Sequence, residues 1–384
     1  MRLLHTSDWH VGKAIRGRSR IAEHEAVLAE IAQIAVDRAV DLVVVAGDQF
    51  ETAAPTAEAE GVVYRALLAL AEVAPVVVIA GNHDNARRLL AVGPLLELGR
   101  VIVATEIRRP DEGGVRSLDI GGVPLQIALL PFQSQRSIVR ADQLMELEGY
   151  QQAQEYAARM QKIVRALCAP FSADSVNLVV AHAFVKGGEL GGGERSAHLV
   201  EEYGIAAADF PATASYVALG HLHRPQRIAG ATTMAYAGSP LQLDFGEAAQ
   251  PKSVNIVEVA PGVPAKVEMV PLTSGRELRT LEGTLADLEG LADTDALGVN
   301  RDAWLRVRVR EQARTGLADE VRELLGEGVV DVSIIGTEHR AAPRRRRRDG
   351  RTPRELFGDF LAERDIADPA LVLAFDAIHD ELGS

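Results

Sequence analysis

Eight short apolar runs rich in β-branched residues alternate with stretches of helical periodicity, and this alternation constrains the chain's fold more than any other feature of its sequence. Leu3–Thr6, Leu42–Ala46, Val76–Ala80, Val101–Ala104, Leu125–Leu130, Leu178–Ala181, Val217–Gly220 and Met234–Ala237 read as strands. Several are continuously apolar, as strands buried on both faces must be. Helical patterns lie between them, clearest over Ala22–Ala39, Thr56–Val73 and Gln151–Cys168. Strands and helices in alternation predict an α/β fold built in layers. Val254–Val259 and Ala265–Val270 read as a closing hairpin around Pro261-Gly262.

The pattern changes near Arg276, where a small α+β unit is expected. Leu278–Leu281 is a short strand, Thr284–Asp287 opens a helix like a capping box, and Leu317–Leu325 is helical. Trp304–Val309 alternates, with Leu305, Val307 and Val309 on one side and arginines on the other, and Val329–Ile335 is a further strand. Between Arg340 and Arg354 the chain carries eight arginines and one acid, Asp349. That run, Arg344–Arg348 above all, is a solvated connector or a contact for phosphate backbones. Thr352-Pro353-Arg354-Glu355 then starts a helix with the apolar stripe Leu356, Phe357, Phe360 and Leu361. Asp368-Pro369 starts another, with Leu371, Phe375, Ile378 and Leu382 on one face. Two such short helices are marginal alone, so their stripes need a docking surface. The expected division is a main domain 1–275, an α+β domain 276–340, a basic linker 341–352 and a helical segment 353–384.

Bulk numbers exclude some classes. Hydrophobic residues make up 47% and charged residues 25%, enough for a large core. Aromatics at 4% argue against a surface that stacks nucleic-acid bases. One cysteine, Cys168, forbids an internal disulfide and favours a reducing compartment. No apolar run approaches the roughly 18 residues of a membrane span, and no signal peptide is evident, so a cytoplasmic protein is expected. The net charge of −13 argues against indiscriminate nucleic-acid binding. It does not exclude a polyanion held at a metal centre, where bound cations dominate locally.

Five apolar runs end in polar clusters: Asp8/His10, Asp48, Asn82/His83/Asp84, His182 and His221/His223. Ligands of α/β folds gather at the carboxyl ends of strands. Glycines 47, 81 and 220 allow sharp turns there. Taken singly, Asp-x-His or Gly-Asn-His-Asp is an ordinary turn, and His182 an ordinary core histidine. Together, in order and each after a strand, they suit two divalent ions; several imidazoles with few carboxylates favour Mn²⁺, Fe²⁺ or Zn²⁺ over Mg²⁺ alone. Two such ions about 3.5–4 Å apart clamp a phosphoryl group and supply a hydroxide nucleophile at neutral pH. Asp48 is the obvious carboxylate to bridge them. His5, His24, His198, His339 and His379 lack this context and read as structural or surface residues.

Asp-x-His, Gly-Asp, Gly-Asn-His-Asp, a lone His and Gly-His-x-His, in that order, resemble the calcineurin-like metallophosphoesterases. SDWHVGK at the start, ALGHLHRPQ, YAGSPLQLDFGE over Tyr236–Glu247 and PRELFGDFL near the end resemble, more closely, the nuclease subunits of bacterial complexes that process DNA double-strand breaks. The resemblance spans essentially the whole chain, loosely over about 106–175. It departs at Gly47-Asp48-Gln49-Phe50-Glu51, where the family often has Gly-Asp-x-Phe-Asp with an apolar x; neither Gln49 nor Glu51 is expected as a ligand.

The resemblance implies a four-layer α/β/β/α core with a small capping domain and a C-terminal helical segment that binds a partner. One metal would be held by Asp8, His10, Asp48 and His223, the other by Asp48, Asn82, His182 and His221, with Mn²⁺ expected. His83 would face the scissile phosphate and protonate the leaving oxygen or stabilise its charge, and Asp84 would orient His83. Arg16, Arg18 and Arg20 are either a solvated loop or DNA-phosphate contacts. The implied activity is 3′-to-5′ double-strand exonuclease and single-strand or hairpin endonuclease in repair and recombination. The implied partner is a coiled-coil ATPase gripped by Leu356, Phe357, Phe360, Leu361, Leu371, Phe375 and Ile378, with a homodimer of this chain in a heterotetramer. Alternatives are a nucleotide phosphodiesterase or protein phosphatase of the same fold, or a non-catalytic scaffold holding the ATPase on DNA ends.

Overall fold

A computed structural model describes residues 1–138, 149–194, 203–293 and 302–335, with Phe357, Leu361 and Phe375 beyond them. By their contacts Met1–Ile335 form one unit and Gly336–Ser384 another. In the second unit the rings of Phe357 and Phe375 stack at 4.3 Å.

In the first unit, strands β1 (Arg2–Thr6), β2 (Leu42–Val45), β3 (Val76–Ile79) and β4 (Val101–Ala104) run parallel. The hairpin β11 (Ser253–Ala260) and β12 (Val263–Pro271) joins them antiparallel through β1, giving the order β12-β11-β1-β2-β3-β4. A second six-stranded sheet has the order β5-β6-β7-β8-β10-β9, from Val115–Ile120, Val123–Leu130, Val176–His182, Tyr216–Gly220, Met234–Tyr236 and Gln226–Ile228 respectively.

Successive residues of a strand face opposite sides, so a continuously apolar strand serves two cores. Leu3, Leu42, Val44, Val77 and Ile79 of the first sheet meet Ile127, Leu129, Leu178, Val180 and Ala218 of the second in a core between the sheets. Leu4, Val43, Val45, Val76 and Val78 face the other way, against helices α1 (Ile21–Asp37), α2 (Ala57–Val73) and α3 (Ala86–Leu98). The outer face of the second sheet (Leu130, Val179, Val217 and Leu219) is covered by Tyr156, Met160, Val164 and Leu167 of the helix Gly149–Cys168, here α5 after the short α4 (Gln135–Ile138). The layers are therefore α/β/β/α.

All eight predicted strands and all three predicted helices of this region form. Helix α3 was not anticipated. Pro94 sits inside the helix, and Asn85 caps its start by accepting the Arg88 amide. Strands β5 and β9 were also missed: β5 mixes polar and apolar residues at a sheet edge, and β9 has only three residues.

A third sheet, β13 (Leu278–Gly283), β14 (Trp304–Val309) and β15 (Val329–Ile334), is parallel because a helix follows each of its first two strands. These are α6 (Leu285–Asp293) and α7 (Leu317–Leu325). Leu305, Val307 and Val309 face them over Leu288, Leu317 and Val321, while Arg306, Arg308 and Arg310 face away, all three at least partly exposed. Leu278 and Trp304 cluster with Ile15 and Phe245 of the main body. Among the described residues no helix is long and apolar enough to cross a membrane.

Candidate metal centre

The turns after β1, β2, β3, β7 and β8 bring the five clusters to one cleft, with donors from both sheets. Asp8, His10 and His223 offer ligand atoms within 4.8 Å of one another, as do Asp8, Asp48 and His182. All five residues are buried. Asp48 Oδ2 lies 3.6 Å from His10 Nε2 and 3.5 Å from His182 Nε2, so one carboxylate oxygen stands between two imidazole nitrogens. Asn82 Oδ1 is 3.0 Å from His182 Nε2 and 2.8 Å from His221 Nδ1. The Asp8 carboxylate accepts the His221 amide and the Ser7 hydroxyl.

The backbone is bent to reach this arrangement. Asp8, His10, Asp48 and His221 all have positive φ, at 52, 47, 52 and 109°. Such residues are uncommon outside glycine and cluster where function requires them. The anticipated glycines have steric reasons. A Cβ on Gly47 would stand 2.2 Å from His182 Nδ1, one on Gly81 2.1 Å from Asp48 Oδ1, and one on Gly220 1.9 Å from the Ala46 carbonyl oxygen.

Each outer nitrogen with a partner fixes its ring. His182 Nδ1 donates to the Ala46 carbonyl at 2.8 Å. His10 Nδ1 bonds to the Glu51 carboxylate at 2.9 Å, and Lys13 bonds to the same carboxylate at 3.0 Å. His223 Nδ1 bonds to the Glu247 carboxylate at 2.9 Å. Phe132 stacks on His221 at 5.9 Å and forms a wall of the cleft.

Two observations fit divalent cations here. His10 Nε2 is buried with no hydrogen-bond partner, although its other nitrogen is well bonded. A buried polar atom left so is costly unless something binds it. The carboxylates also draw positive charge: burial alone would lower the His182 pKa, but the Asp48 charge and hydrogen bond raise it to about 9. Imidazole and carboxylate donors around a shared oxygen suit two transition-metal ions.

His83 lies beside this set. Its amide donates to Asp48 Oδ1 at 2.7 Å, and its Nδ1 donates to the Glu51 carbonyl at 2.7 Å. Burial lowers its pKa, against the pull of the Asp48 charge.

Two expectations need correction. Asp84 does not orient the His83 ring. Its carboxylate accepts the amides of Gly81, Phe50 and Gln49 at 2.8, 3.0 and 3.3 Å, stitching the Asp48 loop to the Asn82 loop, while the Glu51 carbonyl holds the ring. Burial, with the Asp48 charge beside it, pushes the Asp84 carboxyl up to about 7. Arg20 is not available to DNA. Its side chain is buried, paired with Glu23 at 2.8 Å and donating to the Gln242 and Arg276 carbonyls. Arg18 is exposed, and Arg16 is half-exposed with an ion pair to Asp331 at 3.2 Å. Of the partner-binding set, Phe357, Leu361 and Phe375 are described; Leu356, Phe360, Leu371 and Ile378 lie outside the described residues, as does the Arg344–Arg348 run.

Glu51, Glu247 and Lys252 escaped the sequence reading. Glu51 stands three residues from Asp48, a signal that was available. Glu247 stands 24 residues from His223 with no spacing rule to tie the two. Of the histidines set aside, His5 is a core residue bonded to the Tyr216 hydroxyl at 2.9 Å, and burial lowers its pKa to about 3. His24 bonds the carbonyl of Arg20 at the start of α1, and His198, His339 and His379 lie outside the described residues.

A layered α/β/β/α fold with a cleft of His, Asp and Asn donors at the carboxyl ends of its strands defines a dinuclear metallophosphoesterase. The family model described as calcineurin-like phosphoesterase matches residues 1–225. The SbcD component of the SbcCD nuclease of Bacillus subtilis (strain 168) is 37% identical over 84% of this chain and 82% of its own length. The SbcD proteins of Rhodobacter capsulatus and Escherichia coli (strain K12) are 34% and 30% identical over 78% and 75% of this chain, and 76% and 72% of their own lengths. The chain belongs to the calcineurin-like phosphoesterases and, within them, to the SbcD nuclease family.

Proposed function

We propose that this protein is the nuclease subunit of an SbcCD-type complex, a Mn²⁺-dependent enzyme that cuts DNA as a double-strand exonuclease and a single-strand or hairpin endonuclease. The observation that carries the metal chemistry is Asp48 Oδ2 standing between His10 Nε2 and His182 Nε2. The names and identities of the relatives support the nuclease reading. Asp8, His10, Asp48 and His223 are the donors of one ion; Asp48, Asn82, His182 and His221 are those of the other. When bound, the ions polarise the phosphodiester and activate water for in-line attack.

The chain's own residues do the rest. Asp48 holds both positions together. His83, fixed through Nδ1 by the Glu51 carbonyl, directs Nε2 to the leaving oxygen as proton donor or charge stabiliser. Asp84 keeps the two loops in register. Arg16 and Arg18 are proposed phosphate contacts on the rim.

An SbcC-type ATPase is the proposed partner, gripped by the segment 353–384, whose aromatic pair Phe357 and Phe375 supports an apolar grip. The third sheet, with its own core, supports reading 276–340 as a capping domain joined to that segment by the basic linker 341–352. A homodimer within a heterotetramer is proposed, and the exposed Leu90, Leu95 and Leu98 of α3 support an apolar contact between copies. A cytoplasmic setting accords with the lone buried Cys168.

The deciding experiment compares Mn²⁺-dependent cleavage of a DNA hairpin and of a small phosphodiester. Cleavage of the hairpin is expected; cleavage of the small ester alone would favour a nucleotide phosphodiesterase and overturn the nuclease reading.

A further inference from the structure

The polar network behind His223 is more elaborate than a metal ligand needs for packing alone. The His223 amide donates to Glu194 Oε1 at 3.0 Å. Its carbonyl accepts the Ser239 amide at 3.1 Å and Lys252 Nζ at 2.9 Å. Its Nδ1 donates to Glu247 Oε1 at 2.9 Å. Glu247 Oε2 in turn takes Lys252 Nζ at 2.7 Å and the Leu243 amide at 3.0 Å, and Lys252 Nζ also bonds Ser239 Oγ at 2.9 Å. Glu247 is fully buried and Lys252 nearly so. Gly193 closes the network from above: a Cβ there would stand 2.2 Å from Glu247 Oε1 and 3.1 Å from His223 Nδ1.

A buried ion pair is costly to desolvate and is weak evidence for stability by itself. This one has every polar atom satisfied, and one oxygen faces an imidazole. A carboxylate on the outer nitrogen of a ligand histidine fixes its tautomer and raises the basicity of the inner nitrogen. The same device recurs on His10, where Glu51 and Lys13 form a second carboxylate–lysine pair. His182, in the other donor set, has only the neutral Ala46 carbonyl in that place. The two sets differ again in charge, since the first holds two carboxylates, Asp8 and Asp48, and the second one carboxylate and the Asn82 amide.

We propose that Glu247, with its charge balanced by Lys252, is a positioning residue for His223, and that this backing makes the His10–His223 position the tighter of the two, so that it fills first. The inference rests on the donor sets assigned above. Lys252 balances the charge of the buried Glu247, and Glu247 holds the His223 proton on Nδ1, which leaves Nε2 as the donor atom.

The test is titration calorimetry of Mn²⁺ into the metal-stripped full-length protein and into the double variant Glu247→Gln/Lys252→Met. That variant removes both charges together and keeps an oxygen acceptor for His223. In the native protein two steps of unequal affinity are expected. In the variant the tighter step should weaken by about 10–100-fold while the weaker step holds. Two native steps with both affinities unchanged in the variant, or loss confined to the weaker step, would overturn this inference and leave the metal centre standing. Fewer than two Mn²⁺ bound by the native protein would bring down both. A second measurement needs no variant to fold: nitrogen-15 spectra of histidine-labelled, metal-free native protein at mildly alkaline pH should show His223 as the Nδ1–H tautomer, and the Nε2–H tautomer would refute the positioning role.

Discussion

At the scale of single residues, the roles proposed for His83 and Asp48 are separable by experiment. Replacing His83 by Ala should leave Mn²⁺ binding intact and lower cleavage by about 10²–10⁴-fold, the usual worth of a positioned proton donor. Unchanged turnover in a single-turnover assay would remove His83 from the chemistry. Gly81→Ala is expected to be nearly as damaging for a different reason. Its Cβ would fall 2.1 Å from Asp48 Oδ1, so the loop must shift, and calorimetry should register lost metal affinity rather than lost turnover alone. Most of the centre was legible because each donor follows a strand and carries a rare side chain in a short motif. The residues that hold those donors were not. Glu247 reaches His223 only through the fold, and the orienting role that the resemblance implied for Asp84 did not hold because its carboxylate turns to the amides of Gly81, Phe50 and Gln49.

At the scale of elements, the join between α1 and the third sheet turns on one carboxylate. Glu23 accepts Arg20 at 2.8 Å, the Trp304 indole at 2.8 Å and the Arg276 amide at 2.8 Å. Burial alone would raise its pKa; Arg20 and these donors hold it below the ordinary carboxylate value. Glu23→Ala strands the buried Arg20 charge, which should cost about 3–5 kcal/mol in urea unfolding. A loss below about 1 kcal/mol would mean that water reaches Arg20 and the join is loose. Arg20 shows why this contact was invisible beforehand. In a row with Arg16 and Arg18 it reads as part of a basic loop, and only burial separates it from them. Element types were read well where apolar runs were continuous; α3 was missed, and it buries only Leu89, Gly93 and Leu96 while Leu90, Leu95 and Leu98 stay exposed.

At the scale of the whole molecule, the two units of the chain predict separable activities. A chain ending at Ile335 should retain Mn²⁺-dependent cutting of short DNA and lose co-purification with the SbcC-type ATPase; retained co-purification would move the grip into the first unit. The centre also draws on both sheets, Asp8 to His83 from the first and His182 to His223 from the second. Its assembly is therefore an event in time as well as in space. At about 5–20 residues per second of synthesis, His223 leaves the ribosome on the order of ten to forty seconds after Asp8. Until β7 follows, the nascent chain carries at most Asp8, His10, Asp48 and Asn82 of the seven proposed donors. The full donor set thus exists only after the second sheet has closed on the first, and the cleft is incomplete while the chain is being made.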